Sequence, residues 1–166
     1  MHPVRKRIAE VESGSTPAAK WMVGGAAAFL RALAERDVTL RVFSGTDQDD
    51  VRNEARVLGV DGFFSEIWGA LDSLEAYSKE KVIREIMAEH HLSGPEVLAI
   101  GDGPVEIRNV KAAGGIAVGV ASDEVTGHGL DAQKRQRLID AGADIIIPDF
   151  TEGQALLAYL FPSSEA

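Results

Sequence analysis

Apolar residues along this chain recur with two spacings, and the alternation between them lays out the elements. From Gly24 and Gly25 the spacing is helical, with Phe29, Leu30 and Leu33 on one face and Arg31, Glu35 and Arg36 on the other. Val38 to Phe43 is β-branched and apolar, which predicts a strand. It runs into Ser44-Gly45-Thr46-Asp47, where Thr46 or Asp47 is positioned to cap a helix carrying Val51, Ala55 and Leu58 and stopping at Gly59. Gly62 to Gly69 reads as a short strand with its flanks. Ser78 opens the next helix, striped by Val82, Ile83, Ile86 and Met87 and closed by the loop at Ser93-Gly94-Pro95. Val97 to Ile100 is a continuous apolar run of the kind found in buried parallel strands. It leads into Gly101-Asp102-Gly103 and a helix from Val105 to Ala113. A strand at Ile116 to Val120, a surface loop from Ser122 to Gly129, a helix near Ala132 to Ala141 and a strand at Ile145 to Ile147 follow. Thr151 is placed to cap a closing helix with Leu156, Leu157 and Leu160.

Strands alternating with helices predict an α/β fold, a doubly wound parallel sheet with helices on both faces. Residues 1–20 are polar, rich in small residues and without a clean period, so residues 1–21 read as a loose arm or the remnant of something larger. The core is expected over 22–162, with a tail at 163–166. Ligands of such sheets sit at the carboxyl ends of strands, where helix amino termini converge. Two loops occupy that position: Ser44-Gly45-Thr46 and the stretch from Gly101 to Glu106.

Composition narrows the chemistry. The 166 residues suffice for a core, and they contain no cysteine, which removes disulfides, thiolate metal sites and cysteine nucleophiles. A formal charge of -9, with no compensating basic patch, argues against nucleic acid as a partner. Apolar runs are strand-sized, so no membrane span is expected. Basic residues near the amino terminus lack an apolar signal core behind them, and a cytoplasmic location is the expectation. His90-His91 lacks ligand partners at suitable spacing and reads as an exposed helix end, while His128 between two glycines reads as loop. Trp21, Trp68 and Phe63-Phe64 read as packing groups.

A serine and a threonine with backbone amides after one strand can bind a phosphate, and an acidic pair after another can hold a hard cation through oxygen. A lysine at the start of the intervening helix supplies positive charge. Together these are parts of an electrostatic clamp for a transferring phosphoryl group. Each residue also has a plainer reading: Ser44-Gly45-Thr46 as a turn and cap, Lys79 and Lys81 as solvated surface, Glu106 as a first-turn acid at a helix amino terminus.

Taken in order, the pieces resemble the haloacid dehalogenase superfamily, whose core carries four short motifs at strand ends. Arg41-Val42-Phe43-Ser44-Gly45-Thr46 looks like the second motif and implies that Ser44, with Gly45 and Thr46 beside it, binds the transferring phosphate. Ser78-Lys79-Glu80-Lys81-Val82-Ile83 looks like the third, with Lys79 the better match to its charge-neutralising lysine and Lys81 the fallback. Leu98 to Glu106 resembles the fourth and implies Mg2+ held by Asp102 and Glu106, where Glu106 stands in place of the commoner aspartate. The resemblance covers roughly residues 22–160. It implies a magnesium-dependent phosphomonoesterase acting on a small phosphorylated metabolite.

The first motif, an apolar strand ending in Asp-x-Asp that supplies the nucleophile, is absent. Asp47-Gln48-Asp49 has the letters but falls three residues past Ser44, at a helix start, and reads as capping and dipole compensation. The strand that would carry the motif is central in the family's sheet, between those at 38–43 and 97–100. The chain therefore reads as part of a longer product; the alternatives are direct pairing of the two flanking strands or a strand lent by a second copy, and an unfilled sheet position gives a reason for self-association. A noncatalytic domain that keeps the phosphate and cation pocket is the competing functional class.

Overall fold

A computed structural model describes residues 3–70 and 79–162. Among these the order is α1 (Pro3–Glu12), α2 (Ala26–Ala34), β1 (Arg41–Asp47), α3 (Gln48–Val57), β2 (Glu66–Ala70), α4 (Lys79–Glu89), β3 (Leu98–Gly101), α5 (Pro104–Ala112), β4 (Ile116–Val120), α6 (Ala132–Asp140), β5 (Ile145–Ile147) and α7 (Gly153–Leu160), with short 3-10 turns between some of them. The fold is α/β, and its described strands pair in parallel, as the alternating pattern predicts. Its strands form two sheets, β1-β2 and β3-β4-β5. Among the described strands β1 pairs with β2, and β3 with β4. The helix start expected at Ser78 and the tail at 163–166 lie outside the described residues.

The chain divides into two compact units, Met1–Asp72 with Phe150–Ala166, and Ser73–Asp149. In the second unit β4 has a neighbour on each side, and Ala117 and Val118 are both fully buried. Ile107 and Val110 of α5 and Leu138 of α6 join Ala117 and Ala121 in its core, with Ile83 of α4 packed against them. Gly119 makes room for this packing: a side-chain carbon there would stand 3.2 Å from Leu138 and 2.8 Å from Ile146. By contrast, β3 is half-buried along its whole length, against the expectation for Val97 to Ile100. A strand hydrogen-bonded on one flank keeps the other open, and apolar composition cannot bury it alone.

In the first unit α2 buries Phe29 and Leu33, and Phe29 packs on Phe150 with ring centroids 4.8 Å apart. The Phe150 N–H donates to the Gly24 carbonyl at 2.8 Å. This close approach explains Gly25, whose φ of 77° is left-handed and whose missing side chain would collide with the Phe150 carbonyl.

Three local expectations are corrected. Residues 3–12, expected as part of a loose arm or the remnant of something larger, are not loose: they form α1, which buries Val4 and is tied to α3 by Arg5–Asp50, Arg7–Glu54 and Glu12–Arg56 ion pairs. The strand expected at 38–43 runs from Arg41 to Asp47, because an irregular register between Phe43 and Asp47 carries it through Ser44-Gly45-Thr46. The cap expected of Asp47 is not made: Asp47 precedes α3 without a side-chain bond to it and leans toward Arg5 at 3.8 Å, while the residue directly before α7 is Glu152 rather than Thr151.

Candidate functional site

Parallel strands deliver their carboxyl ends to one edge of a sheet, and most of the residues singled out from the sequence lie at or just past two such ends, β1 in the first unit and β3 in the second. In the first unit Ser44, Gly45 and Thr46 occupy the irregular part of β1. There the Thr46 N–H donates to Ser44 Oγ at 3.1 Å. A seryl oxygen that accepts from an amide two residues on keeps its own hydroxyl proton for another acceptor. Gly45 is exposed, and a side chain there would meet nothing, so no packing contact accounts for the glycine. Because β1 continues to Asp47, the Asp47-Gln48-Asp49 triplet does stand at a strand end, a correction to its placement at a helix start alone. Asp49 lies in the first turn of α3, and Gln48 has structural work, accepting from the Gly69 N–H and donating to the Ile67 carbonyl, both at 2.8 Å.

In the second unit, β3 ends at Gly101, and Asp102 and Gly103 link it to α5, which opens with Pro104 in its first turn and carries Glu106 there. Proline suits that position, since its missing N–H would be an orphan of the helix start anyway. Lys79, at the start of α4, donates through Nζ to Glu106 Oε1. Lys81 instead reaches Glu85 at 3.7 Å along its own helix. Lys79 thus contacts the first turn of the helix that follows the Asp102 loop. Burial pulls the Glu106 carboxyl upward, but the hydrogen bond and charge of Lys79, with the residue's own N–H, outweigh it and hold the group below the usual glutamate range. Glu106 is accordingly an anion paired with a largely buried ammonium, while the Asp102 side chain is 72% exposed.

The donor chemistry at this loop suits a hard divalent cation: an exposed aspartate, flanked by glycines, with a second carboxylate in the first turn of α5. Glu106 already serves Lys79, so Asp102 is the better-presented oxygen. Among the described residues no three acidic or histidine side chains gather as a ready-made cage.

Sequence reading missed one residue of this group. Lys134, in the first turn of α6, is only 3% exposed, and its Nζ lies 3.1 Å from Glu124 Oε1 and 3.8 Å from Asp102 Oδ2. Its signal was available. Lys134, Leu138 and Ala141 are spaced i, i+4, i+7 behind the Asp131 cap, whose side chain accepts the Lys134 N–H at 2.8 Å, so the lysine sits on the inward stripe. Of the remaining candidates, His90 and His91 are exposed past the end of α4, and His128 is an exposed loop residue with Nδ1 3.8 Å from Asp149. Phe43 and Trp68 stack at 6.5 Å, consistent with Trp68 as a packing group.

Comparison with known proteins gives this arrangement a lineage. No curated protein sequence matches the chain. Among solved structures, a HAD-family hydrolase from Deinococcus radiodurans R1, with bound phosphate and sodium, superimposes with a TM-score of 0.67 at 21% identity, covering 83% of this chain and 59% of that one. A haloacid dehalogenase-like protein of unknown function from Agrobacterium tumefaciens gives a TM-score of 0.66 at 20% identity, covering 83% and 60%. A structure from Haemophilus somnus, described as a predicted phosphoglycolate phosphatase, gives 0.64 at 20% identity, covering 80% and 56%. At these identities the likeness is one of fold, and the chain spans less than two thirds of the length of each of these structures. No described helix is long and apolar enough to cross a membrane. The family model for haloacid dehalogenase-like hydrolases matches residues 10–120, two thirds of the sequence, and the chain belongs to that family.

Proposed function

We propose that this chain carries the phosphate- and cation-binding part of a magnesium-dependent phosphomonoester hydrolase acting on a small phosphorylated metabolite. Ser44 would donate its hydroxyl, and the amides beside it, to the nonbridging oxygens of the phosphoryl group. Lys79 would neutralise charge on those oxygens, with Glu106 fixing the direction of its ammonium. Asp102 would hold Mg2+, with Glu106 its nearest carboxylate neighbour along the chain; when bound, the ion supplies Lewis-acid stabilisation of the phosphoryl oxygens. The observation that carries this reading is the Lys79–Glu106 pair. Residues 27 apart in sequence, each singled out by its own motif, are hydrogen-bonded beside the Asp102 loop.

The reading leaves the attacking group to a strand ending in Asp-x-Asp that these 166 residues do not supply. It therefore predicts that the chain alone does not hydrolyse p-nitrophenyl phosphate with Mg2+, while a chain extended by such a strand does. In the extended chain Asp102→Asn and Lys79→Met should each lower kcat/KM by about a hundredfold or more. Hydrolysis that survives Asp102→Asn at its original rate would remove the metal assignment. One observation favours a second reading, a noncatalytic phosphate- and cation-binding domain: among the described strands only β1 runs into an Asp-x-Asp triplet, Asp47-Gln48-Asp49, but that triplet passes at once into α3, and the strand already carries Ser44. An extended chain that binds phosphate but never turns over would select that reading.

A further inference from the structure

Among the described residues of the second unit Lys134 is the most deeply buried charge, and neither the fold nor the proposed chemistry explains it. An ammonium withdrawn from water is unfavourable unless carboxylates compensate it. Its two acidic neighbours are themselves turned to solvent, with Glu124 75% and Asp102 72% exposed at their side chains. The buried partner is thus the cation, carried by α6, and the exposed partners are the anions.

The loop that brings Glu124 to Lys134 is internally braced. Ser122 bridges Leu130, the Asp131 N–H donates to the Ala121 carbonyl at 2.8 Å, and Asp123 Oδ1 accepts from the amides of Val125 and Thr126 and from the Thr126 hydroxyl. Leu138 anchors the other end of the lysine's helix face in the core at 0% exposure. Lys134 therefore cannot withdraw from Asp102 without disturbing either the loop or the core.

Taking the proposed role of Asp102 as given, we propose that Lys134 is a positioning residue that couples cation to anion at this loop. Its fixed ammonium opposes a divalent cation on Asp102 until a phosphoryl dianion arrives to be shared by both. Two positive charges around one carboxylate repel each other, and an added dianion relieves that repulsion. The coupling is reciprocal: whatever factor the dianion adds to cation affinity, the cation adds to dianion affinity.

The test is Mn2+ binding to the full chain, read from the electron paramagnetic resonance signal of the free aquo ion, with and without methylphosphonate as a dianion that cannot be hydrolysed. In the wild-type chain methylphosphonate should tighten Mn2+ by about tenfold. Lys134→Gln should bind Mn2+ about tenfold more tightly without the dianion and gain less than about twofold from adding it, whereas Lys134→Arg should keep the wild-type coupling. A folded Lys134→Gln chain, checked by circular dichroism, with wild-type affinity and wild-type coupling overturns the proposal. Should that variant not fold, Glu124→Gln decides: losing its other partner, the ammonium should press harder on Asp102 and weaken Mn2+ binding, and unchanged binding overturns the proposal equally. Asp102→Asn separates this inference from the reading beneath it. If wild-type Mn2+ binding does not depend on Asp102, the metal assignment falls and the coupling with it; if it does depend on Asp102 while Lys134→Gln changes nothing, the coupling alone falls.

Discussion

The two units of this chain use the same elements and hold them by different means. In the unit from Ser73 to Asp149, β4 is flanked on both sides and covered, and four of the five largest fully buried side chains, Ile107, Val110, Val118 and Leu138, belong to it. In the other unit the described sheet has two strands, each with an open flank, and Leu157 is its one member of that set. What it has instead is a series of ion pairs joining α1 to α3, of which Arg7–Glu54 is the shortest at 2.7 Å. Apolar composition is similar in both. The difference lies in whether a strand has two neighbours, because only then are both of its faces and both of its edges withdrawn from water. Where that is lacking, polar contacts decide how neighbouring helices settle.

The sharpest way to break this comparison is to remove apolar volume from the buried core. Leu138→Ala should cost about 2–5 kcal/mol, since Leu138 is fully buried and lies against Gly119, leaving a cavity that the rigid sheet cannot close. Urea unfolding followed by circular dichroism measures it. A loss under about 1 kcal/mol would mean that the second unit is not held by its core.

How much of this was legible in sequence follows the same division. Helices α2, α3, α4, α5 and α6 were readable because each sets a stripe of Val, Ile, Leu or Phe against charged residues, and the period survives without knowing what covers it. Asp102, Glu106 and Lys79 stood out in the sequence because each falls in a short motif that resembles the family's, and the Lys79–Glu106 hydrogen bond joins two of these motifs. The α1 helix was not readable, because its docking is carried by Arg5, Arg7 and Glu12, whose partners on α3 lie more than forty residues away. The end of β1 was not, because the irregular pairing that prolongs it passes through serine, glycine and threonine, residues that signal a turn. Lys134 was missed for a related reason: pattern reading assigns lysine to solvent, and only its alignment with Leu138 on α6 argued otherwise.

A second test asks whether polar contacts in the second unit merely supplement its core. Asp144 precedes β5, and its carboxylate accepts from Lys111 Nζ and from the Ala117 N–H, all at 2.8 Å. Burial raises this carboxyl, but the Lys111 hydrogen bond, the Ala117 amide and the Lys111 charge outweigh it and leave it below the ordinary aspartate range. A lowered folded value means that the unfolded chain takes up its proton first. The stabilisation is therefore complete above the unfolded value of about 3.9 and is lost as pH falls through the lower folded one. With the side chain 40% exposed, Asp144→Asn should cost only about 1 kcal/mol at neutral pH after solvent screening. The gap between variant and wild type in urea midpoint should close in acid; a gap that widens there would reverse the sign.

The smallest effect expected is at the charged seam of the first unit, and it bears most directly on the contrast. Arg7 donates through Nε to Glu54 Oε1, with the two side chains 31% and 19% exposed, and its guanidinium also lies 6.0 Å from the Trp21 ring. A partly exposed pair of this kind contributes about 0.5–1 kcal/mol and weakens with salt. Because Arg7→Ala removes the aromatic contact too, the pair is isolated by a double-mutant cycle with Glu54→Ala, read from urea midpoints at low and high salt. The coupling should be small and should shrink in high salt. A salt-insensitive coupling as large as the cost of Leu138→Ala would erase the distinction, because α1 would then be held as firmly by its charges as the second unit is by its core.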